Sequence, residues 1–418
     1  MLSLLNIRVG FYLALRQIRR ASRWTTTLIV FVMLLTFLNL VVVTGVLVGI
    51  IQGISNQYRT QETGDVVVSS LDSKDFIENS PQIIALVKSL PGVAQVSSRY
   101  IAGGTIEANY FSRDQKEKPN ETGASVDGIN VADENAFSNL STHVAEGSYL
   151  SSSDYDTVLL GSQLIDRYSF GKMPGLTPLK NVYPGTKIRL TLGGHTREVV
   201  VKGIVSVPAN SPLAARVFMP EGEVRELIGR DDYAVNEIAT LLLPGTDPIA
   251  FRDLLLRSGV GANAKVQTFE DATPNGVAEI KDTFAMIGNA IGSIGLVVAA
   301  ITIFIVIFIN AVTRRKFIGI LKGIGISGEA IEISYIFQSI FYAAIGSSLG
   351  LLFLYGFLVP YIAVHPIVLP ISNAIIVAPV ASTLLRILLL VVATIIAGYL
   401  PARMIVRKNT LDSILGRT

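Results

Sequence analysis

Four apolar runs divide this chain, and each exceeds the roughly 20 residues that a helix needs to cross about 30 Å of hydrocarbon. They fall at residues 25–51, 284–312, 333–359 and 379–401, and their pattern predicts four transmembrane helices. Ahead of the first run, Ile7, Phe11, Leu15 and Ile18 recur at helical spacing with arginines mostly elsewhere. That spacing predicts a basic amphipathic helix over residues 1–24, lying in the membrane interface or bracing a neighbouring span.

Residues 52–283, between the first two runs, alternate in the way of an ordinary globular domain. The segments DVVVSS (65–70) and AQVSSRYIAGGTIEANYF (94–111) read as strands, as do TVLLG, TKIRLTLGGHTREVVVKGIVSV and ARVFMP further on. In SPQIIALVKSLPGV, Ser80 is expected to cap a helix that Pro81 begins and a Pro-Gly pair ends. The polar stretch 112–125 reads as a mobile loop, and Leu192-Gly193-Gly194 as a hairpin turn. Residues 247–259 read as a helix, and 269–284 as a helical stalk leading to the second run. The expected fold is a polytopic α-helical membrane protein with four transmembrane helices and a large α+β extracytoplasmic domain of two lobes.

Composition agrees with the membrane class. Half of the residues are hydrophobic and 16% are charged, where soluble domains carry about 25%, and the mean hydropathy is +0.51. The absence of cysteine excludes a disulfide framework, thiolate metal sites and a cysteine nucleophile. The net charge of +3 hides a strong asymmetry, because 52–283 is acidic and the flanks are basic. Arg8, Arg16, Arg19, Arg20 and Arg23 precede the first run; Arg314, Arg315, Lys316 and Lys322 follow the second; Arg403, Arg407, Lys408 and Arg417 follow the fourth. The 360–378 loop carries no Lys, Arg, Asp or Glu. By the positive-inside rule both termini and the segment 313–332 are cytoplasmic, and the acidic domain and the 360–378 loop lie outside. The tail 402–418 is then cytoplasmic too. The first run is too long for a signal peptide and lacks a small-residue cleavage site, so it reads as an uncleaved anchor, with Trp24 at the interface.

Catalytic signatures are missing. There is no phosphate loop of the G-x-x-x-x-G-K-[ST] type, no H-E-x-x-H and no G-x-S-x-G elbow. His143, His195 and His365 are scattered. The chain therefore reads as no enzyme, with no metal and no cofactor of its own. Asn39, Asn289 and Asn310 within the apolar runs read as interhelical glue, and Arg386 as a snorkelling side chain. Gly288, Gly292 and Gly295, with Ala285 and Ala299, form a small-residue stripe suited to a dimer contact or to packing within the chain.

One segment asks for more than topology. In TRRKFIGILKGIGIS (313–327) a basic triplet leads into a short amphipathic helix punctuated by glycines, followed by Ser327 as the cap of the next span. This segment resembles the signature of the FtsX-like/MacB-like permeases of ABC transporters, a class that works by mechanotransmission. ALRQIRR near the start, LPGVAQVSSRY, VDGIN and YPGTKIRL in the external domain, and GYLPARMIVRKNTLDSIL at the end resemble that family in order. Phe317 stands where the family often has an acidic residue, and Thr410-Leu411 replaces a common Asp-Pro. The resemblance implies a stand-alone permease of the cell (inner) membrane, dimeric with itself or a relative, paired with a separate ABC ATPase dimer that holds ATP and Mg. It implies ATPase coupling through Arg314, Arg315, Ile318, Gly319, Leu321, Lys322, Gly323 and Gly325. It also implies export or extraction of a lipidic, lipoprotein, peptide or drug substrate, with a possible extracytoplasmic adaptor or substrate protein, membrane lipid as surroundings and no nucleic acid. The alternatives are an FtsX-like signalling subunit that activates an external cell-wall hydrolase without transport, and a membrane enzyme or receptor unconnected with ATP.

Overall fold

The computed structural model describes residues 4–111, 118–169, 175–272, 275–365, 367–368 and 373–407; within these, the side chains of Thr25, residues 275–282, Ala285, Ala299, Ile303, Asn310, Arg315 and residues 367–368 and 373–374 are outside the description. The chain divides into two compact units, one built from residues 1–51, 281–367 and 374–418, the other from 52–280 with 368–373.

Along the chain, α1 (Leu4–Arg19) and the long α2 (Arg23–Tyr58) lead through a π-helical turn (Arg59–Thr63) to β1 (Val66–Ser69), α3 (Ser80–Ser89), β2 (Val93–Ala108) and β3 (Asn120–Ile129). Next come α4 (Val131–Ser138), β4 (Val144–Gly147), β5 (Thr157–Gly161), β6 (Lys187–Leu192), β7 (His195–Val205), β8 (Arg216–Pro220) and α5 (Glu221–Leu227). The second unit ends with β9 (Glu237–Leu242), α6 (Pro248–Arg257), β10 (Lys265–Thr268) and α7 (Phe269–Ala272). The remaining helices are α8 (Asn275–Thr313), the short α9 (Arg315–Gly323), α10 (Gly328–Phe353), α11 (Val359–Val364) and α12 (Val380–Val406). Among the described residues, four helical stretches are long and apolar enough to cross a membrane: 26–63, 286–313, 328–364 and 380–406.

In the helical unit, α1 packs on α10 through Gly10, Leu13, Ala14 and Gln17, with Phe11 and Ile18 of the expected apolar stripe at the margin of that contact. Phe11 and Leu15 of that stripe stay partly exposed, Phe11 with its ring edge-on to Phe337 of α10. The braced face is chosen by space: a side chain at Gly10 would meet Ile333 at 2.7 Å. Buried Gln338 donates from Nε2 to Gln17 Oε1 at 2.6 Å and fixes the same contact with a hydrogen bond. The core below it joins Met33 of α2, Ile307 of α8, Tyr335 and Tyr342 of α10 and Ala397 of α12.

Among the described residues, ten strands of the other unit form one sheet, ordered β10-β1-β9-β2-β3-β8-β5-β7-β4, with β6 bridging β2 and β7. The sixteen-residue β2 serves two neighbourhoods. Its first half pairs with β9, above a core of Val66, Ile83, Val87, Ile238 and Leu255. Its second half pairs with β3 and β6, above a core that includes Ile106, Leu160, Ile188 and Val201. The hairpin at Gly193-Gly194 forms as expected, with both residues at positive φ. Two readings are corrected. Strand β3 begins at Asn120, inside the stretch read as a loop, because pairing with β2 and burial of Thr122 override the weak strand preference of NETGAS; residues 112–117 are not among those described. Ser80 caps nothing: Asn79 is the capping residue of α3, and the fully buried Ser80 hydroxyl donates to Ile77 O and accepts from Val235 N.

The π-helical turn after α2 is held by charge. A helix C-terminus leaves carbonyl oxygens without partners, and a cation there is favoured by the helix dipole. Arg99 of β2 fills this role, donating to Glu62 O at 2.7 Å and Gln61 O at 3.0 Å. The same guanidinium grips Glu134 of α4 through two hydrogen bonds, Nε to Oε2 at 2.7 Å and NH2 to Oε1 at 2.9 Å. It also meets Glu237 of β9 at 3.0 Å. Arg216 of β8 pairs with the carboxylates of Glu62 and Asp127. Arg99 and Glu134 have side-chain exposures of 1% and 0%, so this ion pair is shut away from water.

Candidate coupling site

The segment 313–327 divides into an inner and an outer face. Helix α9 starts after Arg314 and ends in a Schellman motif: Gly325 N–H donates to Lys322 O at 3.1 Å and Ile326 N–H to Leu321 O at 3.0 Å. Gly325 sits at φ +93°, a conformation that costs other residues about 1–2 kcal/mol. Nothing lies within 4 Å of where its side chain would be. Gly325→Ala is therefore expected to lose stability by backbone strain alone, about 1 kcal/mol, seen as faster amide exchange at residues 324–326. Gly323→Ala is the control, since Gly323 is helical and equally open.

Ile318, Gly319 and Leu321 point inward, Ile318 and Leu321 being packed among the spans. Lys322 donates from Nζ to Val406 O at 2.9 Å, anchoring the end of α12. Of the coupling candidates, these brace α9 on the bundle. Arg314 and the exposed Gly323 and Gly325 lie on the open side; the side chain of Arg315 is outside the description. The open side also carries three apolar residues that were not among the expected coupling residues, Phe317 standing out in the sequence only as a departure from the family pattern. Phe317 is 47% exposed, Ile320 50% and Ile324 71%. Their i, i+3, i+7 spacing was readable as a stripe. Between α9 and α1 runs a cleft of about 460 Å³ whose walls include these three with Arg16, Arg20 and Arg314.

The following span is tied to the same corner. Ser327 Oγ accepts from Ala330 N at 3.2 Å, as a cap should, and donates to Asn6 Oδ1 at 2.9 Å. Asn6 Nδ2 in turn donates to Glu329 at 2.9 Å. The stripe of Gly288, Gly292 and Gly295 faces α2 of the same chain: a side chain at Gly288 or Gly292 would lie 3.6 Å from Leu47 or Thr44, and one at Gly295 would lie 3.1 Å from Asn39 Oδ1. No group of three or more metal-ligating side chains occurs among the described residues.

Four helices long and apolar enough to cross a membrane, an α/β domain after the first of them and a braced basic helix between the second and third give the layout of a polytopic membrane protein. The MacB-like periplasmic core domain matches residues 26–257, and the FtsX-like permease C-terminal domain matches residues 289–410. The chain belongs to the FtsX-like/MacB-like family of ABC transporter permeases. Among solved structures it is similar to the periplasmic region of MacB from Actinobacillus actinomycetemcomitans, at 14% identity and a TM-score of 0.36 over 51% of this chain and 92% of that one. It is also similar to the extracellular domain of the noncanonic ABC-type transporter YknZ from Gram-positive bacteria, at 17% identity and a TM-score of 0.32 over 49% and 98%. A domain of a putative permease protein from Porphyromonas gingivalis gives 15% identity and a TM-score of 0.32 over 50% and 93%. No curated protein matches.

Proposed function

We propose that this chain is the stand-alone permease subunit of an ABC transporter, and that a separate ATPase docks on the open face of α9. Membership in an ABC permease family supports an ATPase partner, which would hold ATP and Mg. The observation that carries the docking site is the stripe of Phe317, Ile320 and Ile324, exposed beside Arg16, Arg20 and Arg314. Apolar anchors ringed by arginine are the usual energetic centre of a protein interface. The opposite face of α9 is packed among the spans and tied to α12 through Lys322, so a push on the helix is passed to the bundle. Both termini and α9 lie in the cytoplasm, and the domain of residues 52–280 works outside the cell membrane, the cores on the two halves of β2 marking its two lobes. ATP-driven closure of the ATPase pair moves that domain and drives export or extraction of a lipidic, lipoprotein, peptide or drug substrate, with the permease acting as a dimer.

The test is purification of the tagged chain from its native membrane in mild detergent. A P-loop ATPase is expected in near-equal amount. Phe317→Asp with Ile320→Asp should release it at unchanged membrane insertion, a loss of at least about 2 kcal/mol, or roughly thirtyfold in affinity. Reproducible purification of an intact dimer without any ATPase would overturn the reading.

A further inference from the structure

We infer that Arg99 is a positioning residue for the coupling cycle, the joint through which motion of α2 reaches the external sheet. The inference rests on the function proposed above and adds the place where force enters the domain. The chain leaving the first apolar run enters the domain through the turn at residues 59–63, and every strong restraint on that turn is polar. Arg99 holds two of its backbone oxygens, at 2.7 and 3.0 Å. Ser211 Oγ donates to Gln61 Oε1 at 2.7 Å, and Arg216 pairs with the Glu62 carboxylate. At its exit, Asp65 Oδ2 accepts from Leu242 N at 2.8 Å. One guanidinium thus connects the end of α2 to three elements at once: β2, on which it sits, α4 through Glu134, and β9 through Glu237.

An apolar contact slides at little cost. A forked guanidinium with five directed donors does not, because each displacement leaves a desolvated partner unsatisfied. The burial of a charged hub at this point, where packed hydrophobic residues would be as stable or more so, is explained by the directional grip that a moving joint needs.

The cluster also carries an imbalance. Glu62, Asp127, Glu134 and Glu237 face only Arg99 and Arg216 among the described residues. Burial, with Glu62 nearby, pushes the Glu237 carboxyl up to about 7, against the opposing pull of Arg99 and Arg216; Asp127 adds to the rise. The fold therefore favours protonated Glu237, and the stability it contributes is lost as pH rises from the ordinary carboxylate range through about 7. Ionised Glu237 repels the Glu62 carboxylate, and with it the turn.

The experiment follows hydrogen exchange in the full-length chain in detergent. Protection at residues 59–63, corrected for intrinsic rates, should fall about tenfold between pH 6 and pH 8, and Glu237→Gln should abolish that fall. That profile tests the clamp itself; a merely structural clamp would give it too, but without any response to ATP. In the complex with its ATPase, ATP should change exchange in β2 and α4. Arg99→Lys keeps the charge but cannot fork to both Gln61 O and Glu62 O, and it should lose this response while retaining the ATPase. A pH profile unchanged by Glu237→Gln, or an ATP response intact in Arg99→Lys, would overturn the inference. Failure to recover any ATPase would instead remove the proposed function, and the pH comparison would still decide whether the clamp exists.

Discussion

Glu134→Ala is expected to destabilise the external domain by about 3–5 kcal/mol, the cost of leaving one partner of a buried ion pair alone. Glu134 is fully buried, and its carboxylate also accepts from Ser97 Oγ at 2.6 Å. Burial would raise its pKa, but Arg99 and the Ser97 hydroxyl hold the carboxyl below the usual range. A lowered acid contributes stability that is present above the ordinary carboxylate range and lost as pH falls through its own lower value. The Glu134→Ala deficit should therefore be largest at neutral pH and shrink in acid. Thermal proteolysis of the full chain at two pH values measures it. The double variant Arg99→Met with Glu134→Leu separates the two costs: removing both charges should recover most of the loss, since an apolar pair of similar volume is often no worse than a buried salt bridge. An equal deficit in the single and double variants would mean that packing, and not the unpaired guanidinium, sets the stability here.

The sequence showed the membrane helices plainly because hydropathy integrates over some 20 residues and tolerates local error. The strands were legible where one face is buried, as in β6 and β7, or where a β-branched run is buried on both, as in β1, and the glycine pair at 193–194 announced its hairpin. Strand β3 was not, since its partners and not its own residues make it a strand. The site was half legible. Gly325 and Ser327 declared the ends of α9 and α10 through local backbone chemistry, which needs no tertiary information. The facing of α9 did need it: Ile318 and Ile320 are equivalent in type, and only the position of the neighbouring spans sends one inward and leaves the other open. The Arg99 hub was invisible for the same reason, because Glu62, Glu134 and Glu237 lie 37, 35 and 138 residues from it in sequence. Glycines tell the opposite story. The stripe of Gly288, Gly292 and Gly295 drew attention, yet a side chain at Gly288 or Gly292 would make only ordinary contacts. One tight approach lies in α10, at the G-x-x-x-G of Gly346 and Gly350, which the sequence carried openly.

Gly346→Leu should accordingly be among the most damaging single changes in the helical unit. A side chain at Gly346 would stand 2.4 Å from Met33 Cβ and 3.1 Å from the Leu34 backbone nitrogen, and one at Gly350 would stand 2.2 Å from the Phe37 ring. Met33 and Phe37 are 2% and 0% exposed, so neither has space to withdraw. Because the lipid phase gives apolar helices no hydrophobic reason to associate, close backbone approach is what holds them together. Leucine at 346 must push α2 and α10 apart and so forfeits the whole contact. A cost of about 3 kcal/mol is expected, the upper end for overpacking, with a lower midpoint for thermal aggregation of the detergent-purified chain. Gly356→Leu makes the same chemical change in the helical stretch that continues α10, with nothing within 4 Å of the new side chain, and should be nearly silent. Equal loss in both variants would mean that glycine's absence from the helix matters and the α2–α10 contact does not. Loss at 346 alone would show that the α2–α10 contact is what the substitution breaks; in the coupling proposed above, that contact would pass a push from α9, which four residues separate from α10, to α2.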